Sequence, residues 1–169
     1  MDSALKYDLM VLLSGPEPQR TIIEDIILKE LKNYKGSVIF VKGQVEDRQI
    51  KSQQGNMTIY NFMNSVQLQR TINQSEMVLS RSGYTTIMDL AKLEKKAFFI
   101  PTPGQYEQEY LANRLDRLRL VPTCHQDDFK IEMLDSIEHY YGLHSFNYEV
   151  EFKELFSLFQ SERKLTANT

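Results

Sequence analysis

The chain has 169 residues, 41% of them hydrophobic and 25% charged, the composition of a folded domain with a sizeable core. A formal net charge of −3 argues against a broad nucleic-acid surface but leaves room for a local anion site. A single cysteine, Cys124, excludes a disulfide within the chain; with no secretory pattern and no apolar run near the ~18 residues of a membrane span, the expectation is a cytoplasmic protein.

Residues 9–13 form a short continuous apolar run, the pattern of a strand buried on both faces. A loop over 14–20 follows. Thr21 then opens a helix, with Glu24 at capping-box spacing and Ile22, Ile23, Ile26, Ile27 and Leu31 as its apolar stripe. A second strand covers 37–41, residues 44–56 are polar and read as loop, and a third strand covers 57–60. A helix near 65–74 leads to a fourth strand at 77–79. The helix after Gly83 leads to a fifth strand at 97–100, and a helix over 106–118 to a sixth at 120–123. Asp127 or Asp128 caps a helix ending near Gly142, and a last helix over 148–162 places Phe152, Leu155, Phe156 and Phe159 on one side. Strands alternating with helices predict a doubly wound α/β fold with a mainly parallel six-stranded sheet in the order 3-2-1-4-5-6. The expected organisation is a single domain over 1–169, with a core at about 8–142 and a C-terminal extension over 143–169.

In that order the first and fourth strands flank the switch point, where ligands of such folds bind. Their loops read SGPEPQR and SRSGYTT. A helix N-terminus offers unpaired amides and the positive end of a dipole. Gly83 lets backbone approach a ligand, Ser82, Thr85 and Thr86 add hydroxyls, and Arg81 and Arg20 add charge, a set that fits a diphosphate. Asp89 follows Thr86 by one helical turn, placed to accept both hydroxyls of a ribose. The same residues have a purely structural reading. Thr86-x-x-Asp89 also fits a capping box, Gly83 fits a turn, and Arg20 fits a solvated charge. The dinucleotide G-x-G-x-x-G and the P-loop fingerprints are absent.

The stretch SRSGYTTIMDLAKLEKKAFFIPTPGQYEQEYLANRL resembles the donor-binding, C-terminal half of GT-B glycosyltransferases of the family 28 type, in which R-(A/S)-G-x-x-(S/T)-x-x-E precedes an apolar strand and a P-x-P-like loop. The resemblance is specific over 80–115 and extends over roughly 9–140. It implies one half of a GT-B fold that binds a nucleotide-diphosphate sugar, with a UDP-N-acetylhexosamine as the expected donor. Arg81, Ser82, Gly83, Thr85 and Thr86 match the turn that approaches the diphosphate, together with Ser14 and Gly15 of the first loop and Arg20 after it. Asp89 stands where the family has a ribose-binding glutamate, one methylene longer. Gln105, Gln108, Glu109 and Asn113 fall in the segment that contacts the sugar, and 61–65 in the loop that meets the base. Glu109-Tyr110 replaces the family's His-Gln or Gln-Gln, and Pro16 and Pro18 remove two amides from the first loop.

A complete GT-B enzyme has two such domains, with the acceptor site in the N-terminal one. The resemblance therefore implies an N-terminal domain or a partner subunit, as in split enzymes that extend lipid-linked diphosphate sugars, and membrane contact through that acceptor half. Metal-independent transfer without a cofactor is the expected mode. A nucleotide-sugar hydrolase or epimerase of the same fold, and a non-enzymatic interaction domain, are the alternatives. Cys124-His125 is an isolated pair, which reads as structural. Arg114, Arg117 and Arg119 form a basic cluster that reads either as a solvated helix face or as an approach to an anionic surface.

Overall fold

A computed structural model describes residues 4–143, together with Lys153, Glu154, Ser157, Gln160, Ser161 and Lys164. The central strand is β1 (Tyr7–Leu12), flanked in parallel by β2 (Val38–Val41) and by β5 (Ser75–Ser80). Outside β2 lies β4 (Met57–Tyr60), also parallel, with β3 (Lys51–Gln54) antiparallel at the edge; outside β5 lies β6 (Lys96–Phe99). The six-stranded sheet thus runs β3-β4-β2-β1-β5-β6. Its parallel part is the predicted doubly wound arrangement, and the sequence order reverses at β1.

The two ends of the sheet differ from expectation. Residues 120–123 do not form a sixth ladder strand; they meet β6 at a single bridge between Phe99 and Thr123. The Pro122 carbonyl accepts from the Phe99 amide, but with no N–H of its own Pro122 has no donor to extend the pairing. The additional strand is β3, whose four residues Lys-Ser-Gln-Gln are all exposed. A two-residue turn, Gly55-Asn56, folds it back on β4, with Gly55 in the left-handed region at φ 56°.

Within residues 4–143 the α-helices are α1 (Gln19–Leu31), α2 (Ser65–Asn73), α3 (Tyr84–Lys92) and α4 (Tyr106–Arg117). Successive residues of β1 serve opposite faces. Leu9 and Val11 join Ile23, Ile27, Phe40 and Phe98 on the α1 side, while Met10 joins Val78, Ile87, Leu90, Leu111 and Leu115 on the side of α3 and α4. Asn64 caps α2 through the Gln67 amide, and the Gln67 side chain returns the bond in a full capping box.

α1 starts two residues before Thr21. Glu17 accepts from the Thr21 amide at 3.1 Å, and Glu24 turns to Arg20 and Lys42, so the expected Thr21–Glu24 box does not form. In place of a helix from Asp127 or Asp128 the chain makes two 3-10 segments, Gln126–Asp128 and Ile131–His139. Between them Phe129 is extended and packs its ring edge-on to Phe98, with centroids 6.0 Å apart. The apolar side of the expected 148–162 helix lies outside the described residues. Among the described residues no helix is long and apolar enough to cross a membrane.

Candidate functional site

Leu12 of β1 pairs with Val41 of β2 on one side and with Ser80 of β5 on the other, so the three strands deliver their loops to one edge. Between those loops, α2 and α3 lies a cleft of about 540 Å³. Leu12, Leu13, Val41, Leu68 and Ile72 give it an apolar floor and wall, and Ser14, Thr85, Thr86 and Asp89 give it a polar rim. Gly43 has a φ of 73°, and a Cβ there would meet the Leu13 carbonyl oxygen at 2.1 Å. Only glycine lets the two strand exits pass this closely, and that contact shapes the floor.

Among the described residues no side-chain cap hydrogen bond closes the start of α3. Gly83 is the N-cap and brings no side chain to the first-turn amides, and the first intrahelical bond runs from the Ile87 amide to the Gly83 carbonyl. The structure leaves the capping-box reading of Thr86 and Asp89 unused, because Gly83 holds the cap position. Gly83 has ordinary extended angles, φ −69° and ψ 144°, and a Cβ built on it would have nothing within 4 Å. Neither backbone geometry nor packing requires a glycine there. Asp89 is exposed, and its carboxylate has no hydrogen bond or ion pair among the described residues.

The N-terminus of α1 is different, because Glu17 already places a carboxylate on it. Arg20, 3% exposed, donates to Glu17 at 2.7 Å, Glu24 at 2.6 Å, the Lys42 carbonyl at 3.1 Å and the Thr21 hydroxyl at 3.0 Å. Lys42 pairs with the other oxygen of Glu24 at 3.0 Å. Arg20, Glu17, Glu24 and Lys42 thus form a neutral network beneath the first loop. Gly15 in that loop sits at φ 103°, a conformation that favours glycine.

Arg81 is 2% exposed and does not line the cleft. Its guanidinium donates to the carbonyls of Ile100, Pro101 and Gln19 and to the Gln126 side-chain oxygen, at 3.0–3.3 Å, and its Nε–H has no partner. Burial alone pulls its pKa down to about 10. Ser82 is fully buried and donates its hydroxyl to the Gln108 carbonyl at 2.8 Å, which joins the turn to α4.

The residues at the start of α4 are not brought to the cleft. Gln108 accepts from the Thr102 amide at 2.9 Å and donates to Gln105 at 2.8 Å, and Glu109 accepts from the Gly104 amide at 3.2 Å. These bonds shape the loop before α4. Glu109 and Asn113 border a separate hollow of about 360 Å³ with Arg114 and Arg117. Arg119 instead stacks on Tyr140, 4.3 Å from the ring centroid, and donates to the His139 carbonyl.

Residues 61–65 are expected to form the loop that meets the base, but the bonds Asn61 makes, and the part played by Gln126, escape sequence reasoning. Asn61, buried after β4, accepts from the Ile50 and Phe62 amides and donates to the Arg48 carbonyl and Glu46, fastening the 44–50 segment beside the cleft. Gln126 bonds both Arg81 and Gln19 from far along the chain. The one available signal was a polar side chain beside Phe129, a residue with a strong tendency to be buried.

The model of the glycosyltransferase family 28 C-terminal domain matches residues 18–138. The chain belongs to that family. A relative in Sulfurihydrogenibium sp., named UDP-N-acetylglucosamine–N-acetylmuramyl-(pentapeptide) pyrophosphoryl-undecaprenol N-acetylglucosamine transferase, is 25% identical over 164 residues, covering 94% of this chain and 45% of its own. The solved MurG of Acinetobacter baumannii superimposes with a TM-score of 0.56 at 17% identity, covering 82% of this chain and 41% of that one. The solution structure of ALG13 gives a TM-score of 0.60 at 15% identity, covering 86% of this chain and 94% of that one. The chain spans less than half the length of the curated transferases it matches.

Proposed function

We propose that this chain is the donor-binding half of a glycosyltransferase and holds a nucleotide-diphosphate sugar, with a UDP-N-acetylhexosamine as the donor. The observation that carries this reading is the start of α3, which has no side-chain cap among the described residues and lies under a glycine that neither backbone angle nor packing requires. A diphosphate supplies the missing anionic cap, and Gly83 leaves it room to reach the amides. The exposed Thr85 and the half-buried Thr86 offer hydroxyls to the same phosphates. The unpartnered Asp89 accepts from the ribose, and the base lies against the apolar wall near Phe62 and Leu68. The matched transferases, whose names specify UDP-N-acetylglucosamine, support the choice of sugar.

In this reading the chemistry assigned to the chain is electrostatic. Negative charge grows on the leaving diphosphate as the glycosidic bond breaks, and fixed amide dipoles stabilise it without reorganising. The acceptor and the group that activates it belong to an N-terminal domain or a partner subunit. Calorimetric titration with UDP, UMP, uridine and UDP-N-acetylglucosamine tests the proposal. It expects UDP to bind clearly more tightly than uridine, and equal affinities for the two would overturn it.

A further inference from the structure

Four of the five N–H groups of the Arg81 guanidinium are used, and every acceptor is neutral: three carbonyls and one amide oxygen. No carboxylate among the described residues lies within ion-pair distance of it. The other buried guanidinium, Arg20, is matched by Glu17 and Glu24. A buried cation without a counter-ion is costly to folding, and proteins normally pair it. Arg81 stands two residues before Gly83, immediately before the uncapped start of α3. The place where a partner carboxylate would fit is taken by Gln126, 4% exposed, which is the amide analogue of a glutamate.

We infer that Arg81 is a buried counter-charge for the ligand's diphosphate, acting through the α3 turn without touching it, and that Gln126 is the positioning residue that holds the guanidinium there uncancelled. The inference rests on the donor reading above and adds a division of labour to it. The amides and hydroxyls of the turn make the contacts. Arg81 supplies a full positive charge from below, where solvent does not screen it. Gln126 also donates to the Gln19 side chain at 2.8 Å, and the Gln19 carbonyl accepts from Arg81, so the three residues form one clasp between α1, the α3 turn and the first 3-10 segment. A neutral acceptor at 126 orients the cation, whereas a carboxylate would also neutralise it.

The test is Gln126→Glu in the full chain. The substitution keeps the shape and the acceptor, and Gln19 restores the second bond by turning its amide. A purely structural clasp would be preserved or strengthened by the new ion pair, with nucleotide affinities unchanged. The counter-charge role predicts the opposite pairing: an equal or higher melting temperature together with weaker UDP binding. At an effective dielectric near 20, a unit charge about 12 Å from an anion changes its binding roughly tenfold. The expected result is a roughly tenfold loss for UDP, a smaller loss for UMP and none for uridine followed by NMR titration. Gln19→Glu, at a half-buried position one bond further away, should move the same ratio by less and carries the test if Gln126→Glu fails to fold. An unchanged ratio of UDP to uridine affinity in the folded variant overturns the inference and leaves the donor reading standing. Equal binding of UDP and uridine by the unaltered chain overturns both.

Discussion

Gly43 passes the carbonyl oxygen of Leu13 so closely that a Cβ on it would lie 2.1 Å from that oxygen. The contact joins the exits of β1 and β2 and sets the depth of the cleft between them. Gly43→Ala adds a clash against backbone, which cannot swing aside, to a left-handed φ that costs a side-chain-bearing residue about 1–3 kcal/mol. We expect a lower melting temperature and weaker binding of the whole nucleotide, uridine included. A variant of native stability and affinity would show that the two exits separate easily.

Gly83→Ala should behave in the opposite way. The backbone angles suit alanine and the Cβ meets no protein atom, so stability should stay within about 1 kcal/mol of the parent. The new methyl group stands where the diphosphate approaches. UDP affinity is therefore expected to fall well beyond any change in stability, measured by calorimetry and thermal melting on the same samples. Unchanged UDP affinity would mean that the open space over Gly83 is not the ligand's.

Asp89→Ala isolates the ribose contact. Asp89 is exposed and unpartnered, so its removal costs little folding free energy. Hydrogen bonds to a charged acceptor are worth roughly 1.5–3 kcal/mol, and UDP-sugar binding should fall by about ten- to a hundredfold. Thr86→Ala, measured for both stability and affinity, is the control. If Asp89→Ala lowers stability and spares affinity, the residue serves the helix and not the ligand.

Cys124 is expected to be inert in the native protein. Burial, with a further contribution from Asp128, pushes its thiol up to about 12, so almost none is thiolate at pH 8. Alkylation by iodoacetamide at that pH should be far slower in the native chain than in denaturant, where the pKa returns to its ordinary value. Equal rates would remove the structural reading of the Cys124-His125 pair.

The parts of this fold that could be read from the sequence are those whose burial leaves a pattern. The centres of β1, β2, β5 and β6 are buried on both faces and appear as short apolar runs. β3 is wholly polar because it covers an edge, and only its Gly55-Asn56 turn marked it. The α3 turn was legible as a strand-to-helix junction because Gly83 and its hydroxyl neighbours follow an unbroken apolar run and precede an apolar helical pattern. The placing of Arg81 was not. Its acceptors come from Gln19, Ile100, Pro101 and Gln126, which only the folded chain brings together. Glu17 similarly capped α1 from outside the expected helix, where spacing rules do not look.

The last prediction concerns the acceptor half. Thr85, Asp89 and Val45 stand exposed beside the cleft, so a sugar attached to the bound diphosphate would meet solvent on that side. Transfer needs an acceptor hydroxyl held in line with the breaking bond and water kept away from it, and orientation of this kind is worth several kcal/mol of barrier. We therefore expect residues 1–169 alone to bind a UDP-sugar weakly and to transfer nothing, by product analysis with a radiolabelled donor. Addition of an N-terminal family partner, covalently or in trans, should tighten donor binding and start turnover. The two effects belong together, because a second wall both buries the donor and positions the acceptor. Turnover by the isolated chain would place a complete acceptor site within these residues and end the half-enzyme reading. Tighter binding without turnover would locate the attacking base outside both domains.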